Sequence, residues 1–370
     1  MRRGRIALAV PVIGAALLAA PAGASAGTGH GAAFTLSNAS SGNRVVVFAR
    51  AADGGLSKVG SVPTGGLGSG ANLGSQGSIA LSPDGSRLYA VNAGSNTLSV
   101  LGVSGTHVWR EQVVRSGGTM PISVTASGRR VYVVNAAGTP DVAGFRVTGH
   151  GLARIHGGTR MLAAGDSGPA QVSLSPSGRL LVVTNKTSNT IDTFAVHADG
   201  SLGAAVPHPS SGAEPFGFAF TPNGRLIVSD AAEAPTSAAT SYQVSRTALH
   251  VVSGPLQTNQ LAACWVAVTP NGRYAYVSDA HSGTVAGLRV SRDGAIALLD
   301  PSGISGSGGA GSTTLDSAVT PGGRILTVLV DGTRPGVNAL VSFRIMADGS
   351  LRRISTSGAI LASDVGLAVN

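Results

Sequence analysis

The chain has 370 residues, of which 43% are hydrophobic and 12% charged, with a formal net charge of +9. A single cysteine excludes an intramolecular disulfide framework, and regular Val, Ile and Leu runs between the 54 glycines argue against a disordered chain. The basic residues are scattered, with no Lys/Arg run interleaved with aromatics, which argues against nucleic acid as a partner.

The chain opens with Arg2, Arg3 and Arg5, an apolar run from Ile6 to Ala20, and Ala24-Ser25-Ala26. A basic head, a short apolar middle and a small-x-small end predict a signal peptide over residues 1–26. One domain is then expected over 27–370. Without the three leader arginines the balance is 23 basic against 17 acidic residues, a modest +6. No later stretch is apolar enough to span a bilayer. The expectation is a secreted, extracellular monomer, with retention at the cell surface as the variant.

Six times along the chain a strand-like run ends in a polar turn, a Gly and a basic residue, followed by another apolar run. Ser82-Pro83-Asp84-Gly85-Ser86-Arg87 is the first and Thr320-Pro321-Gly322-Gly323-Arg324 the last. The glycines Gly85, Gly128, Gly178, Gly224, Gly272 and Gly323 are 43, 50, 46, 48 and 51 residues apart. That spacing fits one four-stranded propeller blade. Pro presets φ at the first corner, Asp, Asn or Ser bonds the local backbone, and Gly supplies the positive φ. Second strands follow, such as Leu88–Val91 and Tyr274–Val277, ending in Asn92, Asn135, Asn185, Asp230 and Asp279.

Before the turns lie runs that alternate large and small residues with period two, as in Phe218-Ala219-Phe220 and Val266-Ala267-Val268, the last blade departing with Ser317 in a large position. These runs are assigned as innermost strands, with the small residue facing a narrow channel and the large ones a neighbouring blade. Ala33–Asn38, Val45–Phe48 and Leu56–Val59 read as strands two to four of a blade that lacks its first. Leu367-Ala368-Val369 carries the missing large-small-large pattern. The prediction is therefore an all-β, seven-bladed propeller of four-stranded antiparallel blades, with the C-terminal strand closing the N-terminal blade. Closure removes a sheet edge that would otherwise invite aggregation.

The Ser-Pro-Asp-Gly-x-Arg turn with Leu88 to Asn96 after it resembles the lactonase-type seven-bladed propellers. That family includes propeller-type 6-phosphogluconolactonase and carboxymuconate cyclase. The stretch Gly65–Ser82, with Gly74-Ser75-Gln76-Gly77, and the stretch Ala262–Pro270 resemble its secreted actinobacterial branch. Tyr132–Asn135 and Val182–Asn185 also resemble the YVTN-type repeats of surface proteins. The first resemblance covers residues 32–370 and implies a lactone-directed site. It departs at one place: where the family often carries Pro-Arg-His or Pro-His, this chain has Pro215-Phe216-Gly217 and Pro169-Ala170-Gln171.

Propellers bind ligands where the loops entering the inner strands converge, so the register names a channel mouth. There stand Gln76, Gln171, Glu214, Phe216, Trp265, Asp316 and Asp364. Glu214 and Asp316 are the candidate acid and base, since two carboxylates suit proton transfer. Gln76, Gln171, Phe216, Trp265 and Asp364 are the candidate substrate contacts, the two rings as a stacking platform for a small-molecule sugar or aromatic lactone. The three carboxylates could hold a cation, or be solvated loop ends. No metal site or cofactor is assigned. Cys264 reads as a small buried hydrophobe and the histidines mainly as surface groups. Three functions stay open: an exported lactone hydrolase, a non-catalytic ligand- or protein-binding module, and a structural propeller of the cell surface.

Overall fold

The computed structural model describes Met1 and residues 31–370, apart from 166, 234–236, 333–337 and 359. The leader assigned from sequence lies outside the described residues. Those residues form strands and turns, with no helix, in seven antiparallel sheets. Blade 1 runs Val365–Val369, Gly31–Leu36, Arg44–Arg50 and Leu56–Pro63, from the innermost strand outward. Blades 2 to 7 begin at Ile79–Leu81, Thr119–Ser127, Pro169–Leu174, Pro215–Phe220, Ala263–Val268 and Ser312–Val319, and each steps outward in chain order. Blade 6 adds a two-residue strand, Gly306–Ser307, on its third strand.

The repeated turn behaves as its chemistry dictates. In the first copy Gly85 N–H donates to Ser82 O at 2.8 Å with Gly85 at φ 70°, and Ser82 N–H donates to Arg87 O at 2.8 Å. The Thr221 and Thr269 copies close with the same bonds. Ring closure also follows expectation: Ala33 pairs with Val369, Phe34 with Ala368 and Leu36 with Val365. The last residue fastens this strand, because Asn370 Oδ1 accepts from Ala32 N–H at 2.6 Å and Asn370 O from the Arg50 guanidinium at 2.6 Å.

The inner strands differ from the sequence reading in one respect. Their small residues face a neighbouring blade, not the channel. Ala267 packs with Tyr276, Leu326 and Val328 between blades 6 and 7, whereas Val266 and Val268 pack with Ile227 between blades 5 and 6. Likewise Ser123 Oγ accepts from Val172 N–H of the next blade at 3.1 Å. The reason is geometric: each blade stands radially, so both faces of a strand look at neighbours. The axis instead sees the strand's free edge, its unpaired backbone N–H and C=O groups. Small residues on one face let the blades converge there.

Further out, aromatic residues fill the wedge between blades. Tyr132 donates to Gly200 O at 2.7 Å and Tyr276 to Gly349 O at 2.8 Å, each bridging to the following blade. A Cβ at Gly349 would lie 2.5 Å from the Tyr274 ring, so the contact requires glycine.

Candidate functional site

Where the inner strands start, the ladder is irregular. Register shifts fall between Pro121 and Ser123, Pro169 and Gln171, Pro215 and Phe218, Ala263 and Trp265, and Thr314 and Ser317. A bulge re-aims side chains. Gln171, Phe216, Trp265 and Asp316 all lie at these irregularities, so the predicted mouth residues share one end of the channel.

That end is crossed by the chain itself. The loop from Gly74 to Ser78, entering blade 2, reaches most of the ring. Ser75 Oγ donates to Ile122 O of blade 3 at 3.0 Å, and Gln76 N–H donates to Ala170 O of blade 4 at 3.1 Å. Trp265 Nε1–H of blade 6 donates to Ser75 O at 3.0 Å. Gly77 N–H donates to Asp316 Oδ1 of blade 7 at 3.2 Å, and Asp316 Oδ2 accepts from Gly366 N–H of blade 1 at 3.1 Å. On blade 5 a Cβ at Gly217 would sit 2.2 Å from Gln76 Oε1, so glycine is what lets the loop pass.

Two predicted ligand contacts pair with the inner strands' free edges. Gln76 Oε1 accepts from Val266 N–H and its Nε2 donates to Val266 O, both at 2.9 Å. Gln171 does the same to Phe218, at 2.6 Å and 3.0 Å. A carboxamide carries the donor and acceptor of a peptide group, so each glutamine stands in for one residue of a missing neighbour strand. Phe216 and Trp265 meet edge to face at 5.0 Å between centroids, and both are buried, so they wedge under the loop and leave no open ring face as a platform.

The acids do not form one group. Asp316 is buried among the bonds just described, and burial pushes its carboxyl up to about 7 against the pull of the two backbone donors. Asp364 is also buried, its carboxylate oxygens have no hydrogen-bond partner, and burial again moves it to about 7. Glu214 is exposed at the rim with φ 56°, its N–H held by Asn189 Oδ1 at 2.9 Å and its O by Ala231 N–H at 2.9 Å. Its carboxylate makes no hydrogen bond among the described residues. Among the described residues no set of three His, Cys, Asp or Glu is disposed to hold a metal ion, so the cation reading of the three acids does not stand there. Cys264 is buried and its thiol is pushed up to about 12, which keeps it protonated at neutral pH. Among the described residues His208 is the buried histidine, bonded to Thr193 Oγ1 at 3.0 Å.

Sequence reasoning missed Lys186. It follows Asn185 at the end of a second strand and donates from Nζ to Gly74 O at 2.6 Å. The same ammonium lies 5.0 Å from the Phe216 ring centroid. Burial lowers its pKa, with Cys264 and then Glu214 pulling the other way. A signal existed: only Lys58 and Lys186 are lysines among 26 basic residues, and Lys186 sits at the mouth end of its blade. The chemistry on offer is a cation, an exposed carboxylate and an aromatic edge around a plugged channel.

Residues 41–150 and 151–260, together more than half the chain, match the family described as lactonase, 7-bladed beta-propeller. No curated protein matches the sequence. Among solved structures, the Pseudomonas aeruginosa periplasmic gluconolactonase PpgL is similar at TM-score 0.66 and 16% identity, covering 91% of this chain and 99% of that one. A candidate 6-phosphogluconolactonase of Bacteroides uniformis gives 0.67 and 18%, covering 92% and 99%. A Desulfotomaculum acetoxidans protein of unknown function gives 0.70 and 14%, covering 92% and 98%. At such identities the likeness is one of fold.

Proposed function

Because the chain belongs to the lactonase family of seven-bladed β-propellers, we propose that it is an exported hydrolase of a small sugar or aromatic lactone, acting at the rim of the plugged channel mouth. The reading is carried by the Lys186 ammonium, 5.0 Å from the Phe216 ring, standing at the same rim as the exposed Glu214 two residues before that ring. The family often places basic side chains at this mouth, and here Lys186 supplies the positive charge that Pro169-Ala170-Gln171 and Pro215-Phe216-Gly217 lack.

Water attacks the lactone carbonyl carbon as the Glu214 carboxylate takes its proton. The carbonyl oxygen gains negative charge, which the Lys186 ammonium stabilises; one of its three N–H bonds is spent on Gly74 O, leaving donors for substrate. Collapse breaks the ring C–O bond, and the leaving alkoxide recovers the proton from Glu214, giving a hydroxy acid. Asp316 has no part in proton transfer here, since both of its oxygens hold the backbone of the plug and of the closing strand. Export rests on the Arg2–Ala26 pattern.

The test is hydrolysis of a panel of sugar and aromatic lactones by protein beginning at Gly27, beside Glu214→Gln and Lys186→Met. Loss of a general base lowers kcat by about 10²–10⁴-fold, and both variants should remain folded. Absence of turnover across the panel, with lactones still raising the melting temperature, would replace the hydrolase by a binding module.

A further inference from the structure

On the face away from the plug, where the repeated turns cluster, blades 4 and 5 enclose an open cleft of 1170 Å³. Its walls are the turns at 175–180 and 222–225 and the third-strand ends at 195–198 and 243–246. Four guanidinium groups line it, from Arg130, Arg179, Arg225 and Arg246, and no Asp or Glu does. A second recess of 730 Å³ continues over the neighbouring turns and adds Arg129 and Arg146. Six arginines thus follow an arc over three successive blades.

Positive charge is in excess along this arc. In blade 2 the turn arginine is neutralised, Arg87 Nε lying 2.8 Å from Glu111. Among the described residues none of the six arc arginines forms an ion pair. Arg130 donates instead to Gly178 O at 3.3 Å and Ala198 O at 2.8 Å, and Arg146 to Asp199 O, bonds that fix the guanidinium without cancelling its charge. The one acid in the second recess, Asp199, is bonded through Oδ1 by Ser201 N–H at 2.9 Å and Ser201 Oγ at 2.7 Å, and sets a single negative charge against the three arginines there. Asp293, on a blade 6 turn, is bonded through Oδ1 by Ser291 Oγ and Ala295 N–H and does not line the cleft.

We propose that this arc binds a linear phosphate polymer. A guanidinium presents a planar donor fork to phosphate oxygens. A compact anion would meet one or two of these forks, whereas an arc over three blades matches charge repeated along a chain. No Phe, Tyr or Trp lines the cleft and His197 is its one ring, so there is no row of rings for successive nucleobases to stack on, and the repeated feature of the site is the guanidinium fork, which suits the phosphate chain. Such attachment leaves the opposite face free for a soluble substrate.

The probe is inorganic polyphosphate of defined length, titrated into protein beginning at Gly27 and followed by fluorescence anisotropy of a labelled chain. Binding should weaken steadily with salt, with a slope on a log–log plot of about −0.7 for each phosphate neutralised. Arg179→Ala/Arg225→Ala should weaken it at least ~10-fold and flatten the slope by about 1.4. The control pair Arg115→Ala/Arg352→Ala, on outer strands elsewhere, should change it less than ~2-fold. Unchanged melting temperatures keep the comparison about binding. No binding at low salt, equal loss in the control pair, or equal affinity for polygalacturonate or single-stranded DNA would each overturn the assignment.

Discussion

Replacing Gln76 by Leu tests whether the loop is a structural plug. The change removes an acceptor from Val266 N–H and a donor from Val266 O, both at 2.9 Å. Val266 is buried and these groups point to the axis, where no strand pairs with them. An unsatisfied buried backbone group costs about 1–3 kcal/mol, so the pair sets a loss of about 2–6 kcal/mol, with the low end reached if channel water replaces the amide. Gln76→Glu keeps the acceptor but sets a carboxylate oxygen against Val266 O, and should lose about 2 kcal/mol or more at neutral pH. Urea unfolding followed by tryptophan fluorescence suits the measurement, since Trp265 Nε1 is tied to Ser75 in the same loop. If both variants unfold within about 0.5 kcal/mol of the parent, the glutamine does not hold the mouth and the edge-pairing argument fails.

Stability should fall as pH rises from about 4 to about 7. Burial lifts Asp230, Asp316 and Asp364 to about 7 and Asp279 well above its ordinary value, so the fold keeps protons that the unfolded chain releases near pH 4. The stabilisation is complete below the unfolded value and is lost as pH passes the folded one, each group contributing about 1.4 kcal/mol per pH unit between the limits. A melting temperature higher at pH 8 than at pH 5 would contradict this. Deleting residues 365–370 removes the buried Val365, Leu367 and Val369 and bares an edge; about 5–8 kcal/mol is lost from these side chains alone, and aggregation should appear by size-exclusion chromatography. Gly217→Ala would drive a Cβ to 2.4 Å from Cys264 O, which cannot swing aside, and should destabilise by about 1–3 kcal/mol in the same urea assay. Cys264 should resist Ellman's reagent at pH 8 until the protein is unfolded, given a thiol pushed up to about 12; prompt labelling of the native protein would show that the mouth opens.

The propeller was legible because its signals are local and repeated. A turn glycine at 85 or 272 needs positive φ whatever surrounds it, and six such turns at one spacing leave few other folds. The closing strand was legible too, since Leu367-Ala368-Val369 repeats a pattern whose partner was missing elsewhere. The channel mouth was legible as a place and not as a set of roles. Polar residues crowd there because seven strand edges converge with their backbone groups unpaired, and Gln76, Gln171 and Asp316 satisfy that demand from inside the chain. In a sequence, a glutamine that answers a backbone edge looks the same as one that answers a ligand; only its partners separate the two. The separation also says where to look for chemistry: at charges the fold does not consume. By that measure the candidates are the Glu214 carboxylate and the remaining donors of Lys186 at the rim, and the unpaired arginine arc on the opposite face.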